Sequence, residues 1–156
     1  MKRLVWAALI AFVLVAYSFT EAAYRDISDE SPHRQRIGQV CQVKNPMRAH
    51  GVTVKVEKDK KTDHVIVWDP GFTGPEVTFI EYIQPGTTLR VLEARKCWNC
   101  LDNFIDYRVE VQPLPRQFAG HPVYVRAESM TQQYLQCGSD KIGVQPNPSI
   151  NPDAAR

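Results

Sequence analysis

Val77-Thr78-Phe79-Ile80-Glu81-Tyr82-Ile83 and, beyond the pair Pro85-Gly86, Thr87-Thr88-Leu89-Arg90-Val91-Leu92-Glu93 decide the fold class of this chain. β-Branched and aromatic residues dominate the first run, and such side chains suit a pleated, half-buried surface. Proline presets one backbone angle of a turn and glycine tolerates the other, so Pro85-Gly86 separates two strands. The same pattern recurs on both sides. Val52, Val54 and Val56 alternate with Thr53, Lys55 and Glu57; the charged turn Lys58-Asp59-Lys60-Lys61-Thr62 follows, then His64-Val65-Ile66-Val67-Trp68. Successive side chains of a strand point to opposite faces, so this stretch predicts a β-hairpin. Residues 38–43, Tyr107 to Val111 and Val123-Tyr124-Val125 add further strands. The region 113–122 between the last two, with three prolines and a glycine, reads as a loop. A convincing apolar period of three to four residues is absent; only 129–135 suits a short helical turn. The expectation is an all-β chain forming one small barrel or, alternatively, a β-sandwich.

The ends read differently. Met1-Lys2-Arg3 precedes seventeen uncharged residues, 4–20, and a small-residue exit at Thr20-Glu21-Ala22-Ala23. A basic start, an apolar stretch and small residues at the exit are the anatomy of a secretory signal peptide. As a helix the stretch falls short of the roughly 30 Å hydrocarbon core, which favours cleavage. The exit lacks a clean Ala-x-Ala, so residues 1–23 stand as a cleaved signal or as an uncleaved anchor in the inner membrane. Either way the remainder works outside the cytoplasm, periplasmic or secreted. Residues 24–36 are polar and read as a leader, and 37–144 should hold the β domain. The segment 145–156, rich in proline and nearly without apolar anchors, reads as a disordered tail. Without residues 1–23 the chain is 133 residues, one domain with tails, and carries about +1. So weak a charge gives little attraction for polyanions, and nucleic acid is not an expected partner.

The order Pro85-Gly86-Thr87-Thr88, Leu89 to Leu92, a variable tip, Tyr107 to Val111 and Gly120-His121-Pro122-Val123-Tyr124-Val125 resembles the second half of bacterial SH3-like domains over roughly residues 85–126. The resemblance implies an SH3-like barrel serving as a targeting or interaction module. Such domains often carry Gly-Trp-Val in the last long strand, where this chain has Gly120-His121-Pro122, so the Trp that helps form a ligand groove is missing.

Four cysteines, Cys41, Cys97, Cys100 and Cys137, become disulfide candidates once export is accepted. Three pairings exist; the preferred one joins Cys97 to Cys100 and Cys41 to Cys137, the long bridge being the stabiliser. Two other readings attach to Cys97-Trp98-Asn99-Cys100. A Cys-x-x-Cys pair with Arg95 and Lys96 beside it suits thiol–disulfide exchange, but Trp98 lies inside the motif and a strand follows it. The same spacing suits a structural zinc site, although a second such pair is lacking. His33, His50, His64 and His121 are scattered without metal-ligand spacing, and no nucleophile elbow, phosphate loop or dinucleotide fingerprint occurs. No catalytic residue, metal or cofactor is therefore expected.

Among the aromatic residues, Trp68, Phe79, Tyr82, Phe104 and Tyr107 should fill the core. Phe72, central in the turn-rich loop 69–76, and Trp98, held between two cysteines, are the candidate binding residues. The sequence thus predicts an exported, disulfide-stabilised, non-enzymatic binding or structural module of the cell envelope. Its expected partner is an envelope protein or cell-wall polymer, with membrane contact only through residues 4–20 if these are retained.

Overall fold

The computed structural model describes residues 23–56, 59–100 and 102–138. The expected export segment, apart from Ala23, and the expected proline-rich tail lie outside the described residues. Among the described residues nine strands form one sheet with almost no helix: β1 Tyr24–Asp26, β2 Val40–Val43, β3 Met47–Val52, β4 His64–Val67, β5 Val77–Ile83, β6 Thr88–Cys97, β7 Ile105–Gln112, β8 Val123–Arg126 and β9 Leu135–Cys137. No helix among the described residues is long and apolar enough to cross a membrane. The all-β expectation holds.

Two antiparallel units meet at the centre of the sheet. β3 pairs with β4 on one side and β5 on the other, β6, β7 and β8 form a meander, and β8 joins β4 in parallel. β2 extends the sheet beyond β6, and β9 closes its far edge by pairing with β2. The strand order β5-β3-β4-β8-β7-β6-β2-β9 places β5 and β6, neighbours in sequence, in different halves of one open sheet. One core nevertheless draws on both halves: Met47, Val65, Val67 and Ile83 share it with Cys41, Val43, Leu89, Val111, Val123, Val125 and Leu135. The sheet must therefore coil around its apolar face, as the strand twist favours.

Several expectations are corrected. Of residues 24–36, read as a leader, the first three belong to the sheet: β1 pairs Tyr24, Arg25 and Asp26 with Cys97, Lys96 and Arg95. Ile27 follows it into the core at 4% exposure, its N–H donating to Ala94 O at 2.9 Å. The hairpin exists, but its first strand is Met47–Val52. Val54 and Val56 lie exposed beyond it, because the register shifts between Gly51 and Val52 and the Asp63 carboxylate accepts the Val54 N–H at 2.7 Å. Tyr82 is exposed rather than buried, standing on the edge strand with the Arg48 guanidinium at its hydroxyl. Phe118, in the proline loop, is fully buried and stacks near Phe79. The helical turn expected at 129–135 is a 3₁₀ turn at Ala127–Ser129, followed by β9.

The cysteines pair as preferred. Cys41 and Cys137 face one another in the β2–β9 register, and Cys97 joins Cys100 at the end of β6.

Candidate functional site: an aromatic and arginine row on the outer face

Alternation along β6, β7 and β8 sends Val91, Ala94, Tyr107, Val109, Val123 and Val125 into the core. Their sequence neighbours must point the other way. Asp26 lies opposite Arg95, Arg95 opposite Asp106 and Asp106 opposite Arg126, so the ladder sets these four in one row across β1, β6, β7 and β8. Three members of that outward row are not in water. Asp106 has no exposed side-chain surface, and Arg95 and Arg126 keep only 14% and 11%.

Flat aromatic rings cover the charges. The Arg95 guanidinium lies between Tyr24 and Tyr124, 3.8 and 3.3 Å from their ring centroids. That of Arg126 lies 3.4 Å from the Phe104 ring and 5.3 Å from that of Trp68. Such stacking favours arginine, whose planar cation is weakly hydrated. Between them, Asp106 Oδ2 accepts from Arg95 Nη2 at 3.3 Å, and Oδ1 lies 3.2 Å from Arg126 Nε without hydrogen-bond alignment. Burial pushes the Asp106 carboxyl up; the fields of Arg126 and Arg95 pull it down but do not fully offset burial. His64, edge-on to Tyr124, has its imidazole pushed down by burial and then by Arg95.

Phe72 and Trp98, the two sequence candidates, stand at opposite ends of this row and do not meet. Phe72 is half-buried, stacked on His50 with centroids 4.5 Å apart and inclined to Trp68 at 6.0 Å. Its loop is anchored: Arg48 Nη1 donates to Pro70 O at 3.0 Å, the Tyr134 hydroxyl to the Asp69 carboxylate, and the Phe72 N–H to His50 Nε2 at 3.4 Å. Gly71 has φ +86°, and a Cβ there would come within 2.8 Å of Arg48 and His50. Trp98 is 70% exposed. Its N–H donates to Ala23 O at 2.8 Å, the Ala23 N–H donates to Asn99 Oδ1 at 2.7 Å, and the Cys97–Cys100 bridge closes the tip beneath it. Cys97 lies beside Tyr24 in the register and its N–H donates to Phe104 O. The tip therefore adjoins the stacked rings, which themselves reach through Phe104, Arg126 and Trp68 to Phe72.

Sequence reasoning finds the two ends of the row but not its middle. It sets Arg95 beside Cys97 as a support for a thiolate; instead Arg95 is committed to Asp106 and two tyrosines, and Cys97 is buried in a disulfide. The available signal is a charged residue at Arg95, Asp106 and Arg126 within strands otherwise rich in β-branched residues. A groove of about 600 Å³ lies elsewhere, lined by Arg36, Gln39, Lys44, Gln132 and Gln136, and touches none of this machinery. Among the described residues no three His, Cys, Asp or Glu side chains cluster as metal ligands. Compared with protein-family models, curated proteins and solved structures, the chain matches none.

Proposed function

We propose that this chain is an exported, disulfide-stabilised, non-enzymatic binding module of the cell envelope, built as an SH3-like barrel and engaging an envelope protein or cell-wall polymer through Phe72 and Trp98. The observation that carries the reading is the 70% exposure of Trp98 on a tip tied by the Cys97–Cys100 disulfide. An exposed indole on a rigid support gives contact area at little ordering cost, the usual make-up of a binding hot spot. Export is supported by the amino-terminal pattern of residues 1–23 and by the two disulfides, which persist in oxidising compartments. Exchange chemistry is the less favoured reading, because Cys97 has no exposed surface and attack would have to enter at half-exposed Cys100.

The test is capture of partners from envelope extracts by the full chain and by its Phe72→Ala, Trp98→Ala double variant. A partner held by the parent should be lost by the variant, with affinity falling at least about thirtyfold for hot-spot aromatics. A correctly folded double variant that keeps the same partners removes this surface from consideration.

A further inference from the structure

Arg95 and Arg126 bring two positive charges into a covered row that holds one carboxylate, Asp106. One guanidinium would neutralise it. The second bears a desolvation cost without a counter-charge, an arrangement that a purely structural pair does not need. Other acids lie near but do not complete the balance. Glu128 is exposed and acts on Asp106 only through its field, while the Asp26 carboxylate accepts the Ser28 N–H at 2.8 Å. Among the described residues neither forms an ion pair with either arginine.

Both guanidiniums are already oriented. Stacked rings fix the plane of each, and a hydrogen bond to Asp106 fixes the direction of one edge of Arg95, so a ligand would meet preorganised donors. Arg95 and Arg126 keep 14% and 11% of their side-chain surface exposed, and Tyr24, stacked on Arg95 and itself 38% exposed, lies opposite Cys97 at the foot of the Trp98 tip.

Resting on the reading that this outer face binds, we propose that the Arg95–Asp106–Arg126 row is an anion site for a single carboxylate whose attached body lies over Tyr24 and toward Trp98. The surplus of one positive charge matches a monoanion, and a planar guanidinium edge matches a planar carboxylate in paired hydrogen bonds. An acidic sugar and the free carboxyl end of a peptide share this chemistry.

The experiment uses the full chain with both disulfides intact and follows the arginine side-chain N–H signals by NMR. Glucuronate and the dipeptide N-acetyl-phenylalanyl-alanine are the probes; glucose, the dipeptide amide and inorganic phosphate are the controls. Saturable shifts of the Arg95 and Arg126 signals with at least one carboxylate probe, and not with its uncharged counterpart, are expected, and the tighter of the two probes identifies the source. Arg126→Lys keeps the charge but loses the planar fork, and should weaken the preferred probe about tenfold or more. Arg95→Lys serves as the second variant if the first unfolds. Carboxylates that shift the signals no more than the neutral controls, phosphate binding more tightly than either, or unaltered affinity in a folded lysine variant would each overturn the proposal. Partner capture by the aromatic double variant is read separately: its loss of partners without carboxylate binding leaves the aromatic surface standing and removes only the anion site.

Discussion

His50 has no exposed surface, and burial holds its imidazole below the ordinary value of 6.5. A neutral ring fits its duties, since Nε2 accepts the Phe72 N–H and the ring face stacks on Phe72. Half-buried His64 is shifted the same way. When the folded value lies below the unfolded one, the unfolded chain binds protons first, so stability is fully present above 6.5 and is lost as pH falls through that value toward the folded one. Asp106 has the opposite sign: raised above 3.8 by burial, its contribution is present below 3.8 and is lost as pH rises through its folded value. Urea midpoints should therefore fall between pH 7 and pH 5.5, on the histidine side of this balance. His50→Phe keeps a ring against Phe72 and cannot take a proton, so its midpoint should fall less steeply over the same interval. An unchanged slope would show that His50 is not the titrating group. None of this is legible in the sequence, where His50 sits among scattered histidines, because its burial depends on the 69–76 loop folding over it.

Strands of seven or more residues are readable from the chain, and the shortest are not. β5 coincides with the run Val77–Ile83 because six β-branched or aromatic residues in seven leave little ambiguity. β1 and β9, three residues each, carry too few side chains for a period to emerge, and both form because a longer neighbour offers an unpaired edge. Met47–Val52 is masked by Gly51, which breaks the alternation where Phe79 packs: a Cβ at 51 would come within 2.4 Å of that ring. Phe118 escapes a sequence reading because prolines around it mark a loop, while burial is decided by where the loop closes over the core. The β1 segment yields a direct test of its membership in the domain. Ile27 is 4% exposed and its backbone continues the pairing onto Ala94. Ile27→Ala should lower unfolding stability by about 2–5 kcal/mol, the usual cost of truncating a buried isoleucine. A change inside about 0.5 kcal/mol, the range of surface substitutions, would return residues 24–36 to the role of leader.

At the scale of the whole molecule, the sheet is open and its two bridges act on different things. Cys41–Cys137 links residues 96 positions apart and ties β9 to β2, at the end of the strand order opposite to β5. Cys97–Cys100 spans three positions and constrains only the Trp98 tip. If a bridge stabilises mainly by restricting the unfolded chain, its effect grows with the loop it closes, giving about 4.7 kcal/mol for the first and about 2 kcal/mol for the second. The spacing of the four cysteines along the chain is enough to reveal this asymmetry, whereas the stacking that joins the tip to Arg126 and Phe72 arises only when β1, β6, β7 and β8 align. Two double variants separate the roles. Cys41→Ser with Cys137→Ser should lower the unfolding free energy by about 3–5 kcal/mol while leaving partner capture by the surviving folded fraction intact. Cys97→Ser with Cys100→Ser should cost about 2 kcal/mol or less yet weaken partner capture, because Trp98 loses its rigid support. Stability is read from urea unfolding and capture from the same extracts. A short-bridge variant that captures as well as the parent would show that tip rigidity does not contribute to binding, and a long-bridge variant as stable as the parent would show that β9 is held by its ladder with β2 alone.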